Sequence, residues 1–125
     1  MSKLIFFVDD DKMIINLLEY TFQNRQKYEV MSFESGEECI QAMDKKPDLI
    51  VLDHQLSGVG EKKMDGIETL EKIKGLDNRV PVIVLTGFGT DDLYQAFIRK
   101  GADRFLTKDD YFIDSLIDTI DDVIN

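Results

Sequence analysis

The chain has 125 residues, of which 43% are hydrophobic and 32% charged, the composition of an ordinary globular domain large enough to bury a real core. Disorder and a membrane span are excluded, and Met1-Ser2-Lys3 leads straight into an apolar run with no room for a signal peptide, so a cytoplasmic protein without membrane contact is expected. A formal charge of −10, from 25 acids against 15 scattered Lys and Arg, argues against nucleic acid as a partner and favours cations, metal ions included.

Along the chain, strand and helix patterns alternate. The apolar run 4–8 reads as a buried strand, after which Ile14, Leu17, Leu18 and Phe22 recur at helical spacing. A second strand follows at 28–33. Ser35-Gly36-Glu37-Glu38 is a capping box opening a helix with Cys39, Ile40 and Met43 that stops before Pro47. Cys39, the lone cysteine, reads as a small buried residue. The run 49–52 is the third strand. A long polar loop from His54 to Met64 leads to Asp65, three residues before Glu68, a second capping signature; its helix carries Ile67, Leu70 and Ile73 and ends at Gly75. The fourth strand spans 80–85. After a Gly-rich turn Thr90 caps a helix with Asp91 and Asp92 in its first turn, where the helix dipole favours acids, and Gly101 closes it. A fifth strand at 102–106 precedes an amphipathic helix marked by Ile113, Leu116, Ile117, Ile120 and Ile124. Five strand–helix units in strict alternation predict one α/β domain over 1–125, a doubly wound parallel sheet with helices on both faces and right-handed crossovers.

Four pieces of the chain sit at or just past the ends of those strands: Asp9-Asp10, Asp53, Thr86 and Lys108. In an open α/β sheet the edge beyond the carboxyl ends of the strands is where ligands bind, so three carboxylates, a hydroxyl and an ammonium are expected to converge there. Crowded carboxylates repel one another and tend to protonate unless a cation holds them ionised. Oxygen donors without Cys or His suit Mg²⁺ or Mn²⁺. A carboxylate beside such a metal can attack phosphorus to give an acyl phosphate, with Lys108 neutralising phosphoryl charge and Thr86 offering a hydroxyl hydrogen bond.

The segments Phe7-Val8-Asp9-Asp10-Asp11, the strand ending in Asp53, Leu85-Thr86-Gly87 and Gly101-Ala102-Asp103-Arg104-Phe105-Leu106-Thr107-Lys108 together resemble the receiver domains of two-component response regulators, in the stand-alone form, across essentially the whole chain. The resemblance implies a flavodoxin-like sheet with strand order 2-1-3-4-5. It implies a phosphorylation-activated switch rather than a conventional enzyme, one that accepts phosphoryl from a sensor histidine kinase or a histidine phosphotransfer protein and slowly dephosphorylates itself. Carried over residue by residue, it makes Asp53 the phosphoacceptor and Asp9 and Asp10 the acidic pair for Mg²⁺, which the backbone carbonyl of Gln55 also holds. Thr86 and Lys108 match the switch hydroxyl and the family's lysine, and Phe105 matches the aromatic whose rotamer follows phosphorylation. Asp11 falls where the first helix is capped. In the family the positions that Gln55 and Phe88 match line the path of the hydrolytic water, so the resemblance, with a bulky Phe and a neutral Gln there, implies a relatively long-lived phosphorylated form.

Two features depart from that pattern. Leu56-Ser57 replaces the usual Met-Pro pair, with residues 58–63 inserted before Met64-Asp65-Gly66, and Asp109 replaces the proline that commonly follows the lysine. Neither removes a reacting group. Among other readings, a haloacid-dehalogenase-type phosphatase also uses an aspartyl nucleophile with Mg²⁺, but it needs an acid two residues on, where Gln55 stands. A flavodoxin-like electron carrier would find its anionic FMN phosphate repelled by Asp9-Asp10-Asp11. A receiver-shaped interaction module that no longer cycles phosphate is separated from the switch by a phosphorylation assay. His54, the only histidine, is expected to lie outside the chemistry.

Overall fold

The computed structural model describes residues 2–56, 64–87 and 90–124. Five strands, β1 (Lys3–Val8), β2 (Tyr28–Phe33), β3 (Leu49–Asp53), β4 (Val82–Thr86) and β5 (Arg104–Thr107), form one sheet in the order β2-β1-β3-β4-β5, all neighbours parallel. Between and after them run α1 (Lys12–Phe22), α2 (Gly36–Gln41), α3 (Gly66–Leu76), α4 (Asp91–Arg99) and α5 (Phe112–Ile124). The doubly wound architecture and strand order are those expected.

The sheet is covered on both sides because β1, β3 and β4 are apolar at nearly every position, so alternate side chains feed two separate cores. Phe6, Val8, Ile50, Leu52, Val82 and Val84 pack with residues of α2, α3 and α4, among them Cys39, Leu70, Ile73 and Phe97. Ile5, Phe7, Leu49, Val51, Ile83 and Leu85 pack with α1 and α5 through Ile15, Leu18, Phe22, Leu116 and Ile120. Each fully buried side chain of this kind contributes about 1.5–3 kcal/mol against exposure. Cys39 lies wholly in the first core, where burial pushes its thiol up to about 12.

The helix starts follow the capping signatures. Asp11 accepts from Met13 N–H, Ser35 from Glu38 N–H, Asp65 from Glu68 N–H and Thr90 from Leu93 N–H, each filling a donor that the first turn leaves open. Gly101, at φ +106°, ends α4 in a conformation that a side chain would disfavour.

Several boundaries differ from the sequence expectation. The face of α1 toward the sheet is Ile15, Leu18 and Phe22, while Leu17 is 41% exposed, because residues 15, 18 and 22 share one helical face. Helix α2 stops at Gln41 and Met43 lies in a short 3₁₀ turn, Met43–Lys45. Gly75 lies inside α3, which continues to Leu76; a surface glycine there costs about 1 kcal/mol and does not end the helix. Strand β4 begins at Val82, after Pro81, which has no N–H to place in a ladder, and extends to Thr86. Strand β5 begins at Arg104: Ala102 N–H is still bonded to Phe97 of α4, and Asp103 N–H reaches Val82.

Candidate phosphoacceptor and metal site

The strand order makes β1, β3, β4 and β5 consecutive neighbours, so their carboxyl ends lie side by side. Val8 pairs with Leu52, Asp53 with Leu85, and Thr86 with Thr107. Asp9 follows β1, Asp53 closes β3, Thr86 closes β4 and Lys108 follows β5, its N–H donating to the Thr86 carbonyl at 2.7 Å. The fold thus gathers residues separated by up to 99 positions.

Asp9, Asp53 and Thr86 are almost entirely buried, whereas Asp10 is exposed at the mouth. One carboxylate oxygen from each of Asp9, Asp10 and Asp53 lies within 4.8 Å of the others. Lys108 Nζ bridges two of these acids, 3.0 Å from Asp9 Oδ2 and 3.2 Å from Asp53 Oδ1. The other Asp9 oxygen accepts Asp11 N–H at 2.9 Å, so Asp9 is oriented from both sides. Asp11 itself turns to Met13 N–H and stays out of the pocket, as expected of a cap.

Burial, and then the charge of Asp53, push the Asp9 carboxyl up to about 6 against the opposing pull of Asp11 N–H and Lys108. For Lys108, burial works against the charge, but Asp53 and then Asp9 outweigh it and hold the ammonium above its ordinary range. One ammonium therefore does not satisfy the two buried carboxylates, and Asp10 adds a third negative group at the rim. A hard divalent cation fits this all-oxygen donor set and would relieve its repulsion.

The remaining expected residues fall around this centre. Gln55 lies in the turn after β3 with its side chain exposed. Phe105 sits half-buried on β5, edge-on to Tyr94 at 5.6 Å between ring centroids and tilted against Phe97 at 5.9 Å. Phe88, and residues 57–63 of the long loop, lie outside the described residues.

Sequence reasoning missed two features of the rim. Gly66 opens α3 against the turn after β3, where a Cβ would stand 2.6 Å from the His54 carbonyl oxygen. A cleft beside Asp10 is lined by Glu34, Glu37, Glu38, Leu56 and Met64, with Glu37 accepting Met64 N–H at 2.6 Å. The Asp65-Gly66 pair after the insertion was the only signal for the first; nothing local marks the second. His54 points to the opposite side of β3 from Asp53, and burial holds its imidazole below the usual range, Asp53 raising it and Lys108 lowering it further.

A doubly wound α/β fold with a buried acid–lysine cluster at its carboxyl edge is an arrangement suited to binding a cation and an anionic group together. A family model described as response regulator receiver domain matches residues 5–120, and the chain belongs to that family. Sporulation initiation phosphotransferase F of Bacillus subtilis is 32% identical over 121 residues, covering 96% of this chain and 92% of that protein. The alkaline phosphatase synthesis transcriptional regulatory protein PhoP of the same organism is 36% identical over 109 residues, 86% of this chain; the match spans only 43% of that regulator. The signal receiver domain of a putative Luxo repressor protein from Vibrio parahaemolyticus superposes with a TM-score of 0.86 at 28% identity, covering 99% of this chain and 91% of that one. Receiver domains are generally phosphoacceptor switches rather than conventional enzymes, and are phosphorylated by histidine kinases or phosphotransfer proteins. No helix among the described residues is long and apolar enough to cross a membrane.

Proposed function

We propose that residues 1–125 form one receiver domain that takes a phosphoryl group onto Asp53 from a sensor histidine kinase or a histidine phosphotransfer protein, acts as a cytoplasmic switch, and hydrolyses the group itself. The observation that carries this reading is the Lys108 ammonium seated between Asp9 and Asp53 at 3.0 and 3.2 Å, with Asp10 beside them. An Asp53 carboxylate oxygen attacks phosphorus, the bond from phosphorus to the donor's imidazole nitrogen breaks, and its electron pair returns to the imidazole. In the hydrolytic phase a water oxygen bonds to phosphorus, the phosphorus–Asp53 oxygen bond breaks with its electron pair returning to the carboxylate, and the water's protons leave on inorganic phosphate and to solvent. Lys108 offsets the charge of the transferred group, and its two carboxylate partners fix its position before the donor arrives.

Asp9, Asp10, Asp53 and the Gln55 carbonyl would hold Mg²⁺, which would supply charge neutralisation for the phosphoryl oxygens. Thr86 donates its hydroxyl to the arriving phosphoryl group, and Phe105 on the adjacent strand turns toward the space this vacates. That contact change biases the surface of α4, β5 and α5 by about 1–3 kcal/mol, enough for a population shift rather than a complete one. Intact mass after incubation with Mg²⁺ and acetyl phosphate tests the reading. A gain of one phosphoryl group, absent in Asp53→Asn and on chelation, is expected; an equal gain in Asp53→Asn overturns the assignment.

A further inference from the structure

We infer that His54 is a positioning residue that couples phosphorylation of Asp53 to α4 by a route separate from Thr86, through the edge of its imidazole on Phe97. The inference rests on Asp53 being the phosphoacceptor, and three observations carry it.

First, the backbone of His54 is clamped. Its N–H donates to the Leu85 carbonyl at 2.9 Å, immediately before Thr86, and its carbonyl side is packed so closely by Gly66 that a Cβ there would approach to 2.6 Å. A shift of the Asp53 backbone on acquiring a phosphoryl group therefore reaches the His54 ring rather than dissipating in a loose turn. Second, the ring stands against α4. His54 and Phe97 meet edge to face, centroids 6.0 Å apart at 85°, an arrangement that aromatic pairs favour. Phe97 is the buried residue of α4, and it touches Phe105 in turn. The path from Asp53 to α4 is thus one covalent neighbour and one ring contact long.

Third, the resting arrangement is not the best one for the imidazole. Its Nδ1 is buried with no hydrogen-bond partner among the described residues. An apolar side chain would fill the same space on Phe97 without that cost, so packing alone does not account for a histidine. A ring placement that gives Nδ1 a partner is favoured as soon as the neighbouring backbone allows it, and this supplies the second state that a coupling element requires. Asp53 and His54 project to opposite sides of the sheet, so the imidazole reads the event through the backbone and takes no part in the transfer.

Because the chain has one histidine, its imidazole nitrogens give a single set of NMR signals that need no mutant for assignment. The test compares the wild-type protein with and without Mg²⁺ and acetyl phosphate at constant pH, with intact mass recorded on each sample. Where mass shows the phosphoryl group, the Nδ1 resonance is expected to move to a hydrogen-bonded position. His54→Leu should still gain the phosphoryl group, while the response of the amides of α4 falls roughly two-fold or more. An unmoved imidazole in a sample that mass shows to be phosphorylated overturns the inference, as does an unaltered α4 response in His54→Leu. Absence of any mass gain in the wild type would instead overturn the phosphoacceptor reading, and this inference with it.

Discussion

Replacing Asp9 by Asn should make the metal-free protein more stable at neutral pH. Asp9 is 2% exposed and lies beside Asp53, and these two circumstances push its carboxyl from the ordinary 3.8 up to about 6. An acid whose native value is raised holds its proton longer in the folded than in the unfolded chain. Between about pH 4 and 6 the native state then binds more protons, and stability falls as pH rises through that window. Complete ionisation in the native pocket costs about 3 kcal/mol on that displacement. Solvent reaching the mouth screens part of it. The attraction of Lys108 for the ionised Asp9 is already contained in that displacement, and in the variant the ammonium keeps Asp53 at 3.2 Å. The net expected gain is about 1–2 kcal/mol, or roughly 3–8 °C in Tm for a chain of this size.

Urea and thermal unfolding of both proteins in chelator, from acid to neutral pH, measure it. The advantage of Asp9→Asn should be near zero below about pH 4 and reach its full value above about pH 6. With saturating Mg²⁺ the wild type gains by mass action and the gap narrows or reverses. A variant equally or less stable than wild type in chelator at neutral pH would refute the claim that the pocket trades stability for ligand capacity.

Other outcomes follow from the same geometry. Lys108→Met should leave Asp9 and Asp53 buried without their shared cation, destabilising the metal-free fold by about 2–4 kcal/mol in urea while slowing phosphorylation by acetyl phosphate. Thr86→Ala should retain a phosphoryl gain by mass while uncoupling it from NMR shifts over residues 93–116; a wild-type response there would refute the Thr86–Phe105 coupling. Gly66→Ala forces a Cβ to 2.6 Å from the His54 carbonyl and should cost about 1–3 kcal/mol in urea, since backbone rather than a flexible side chain must yield. Shortening residues 57–63 and measuring phosphotransfer from a kinase separates a docking role for the insertion from a tolerated surface segment: unaltered transfer supports the latter.

The legible part of this molecule was the part written in strand ends. Runs such as Phe6-Phe7-Val8 and Ile50-Val51-Leu52 are apolar on both parities, as a strand covered on both faces requires, and each is followed by an acid. The pattern does not say which strands are neighbours. That order came from the family resemblance, and it alone brings Lys108 to Asp9. The helix faces were less legible: Leu17 and Ile15 are equally apolar, and only the direction from which α1 meets the sheet decides that Ile15 is buried and Leu17 exposed. His54 illustrates the same limit, since strand parity tells that it faces away from Asp53 but not that Phe97 waits on that side.

Placing Asp9, Asp53, Thr86 and Lys108 at four different strand ends has a thermodynamic consequence. Asp9, Asp53, Thr86 and Lys108 come from four strands, so the cluster exists only once the sheet has formed, and its repulsion is carried by the whole fold rather than by one element. Two separate apolar cores, one on each side of the sheet, supply the reserve that tolerates it. Relief of that repulsion is available from outside, by a cation at the acids. The same imbalance that weakens the resting protein thus makes its pocket responsive to the charges that arrive there. Neutralising an acid of the pocket and truncating a core side chain should accordingly move the metal-free protein's stability in opposite directions: Asp9→Asn raises it, whereas truncating Phe6 or Leu52, each fully buried, lowers it by about 2–5 kcal/mol without altering the donor set.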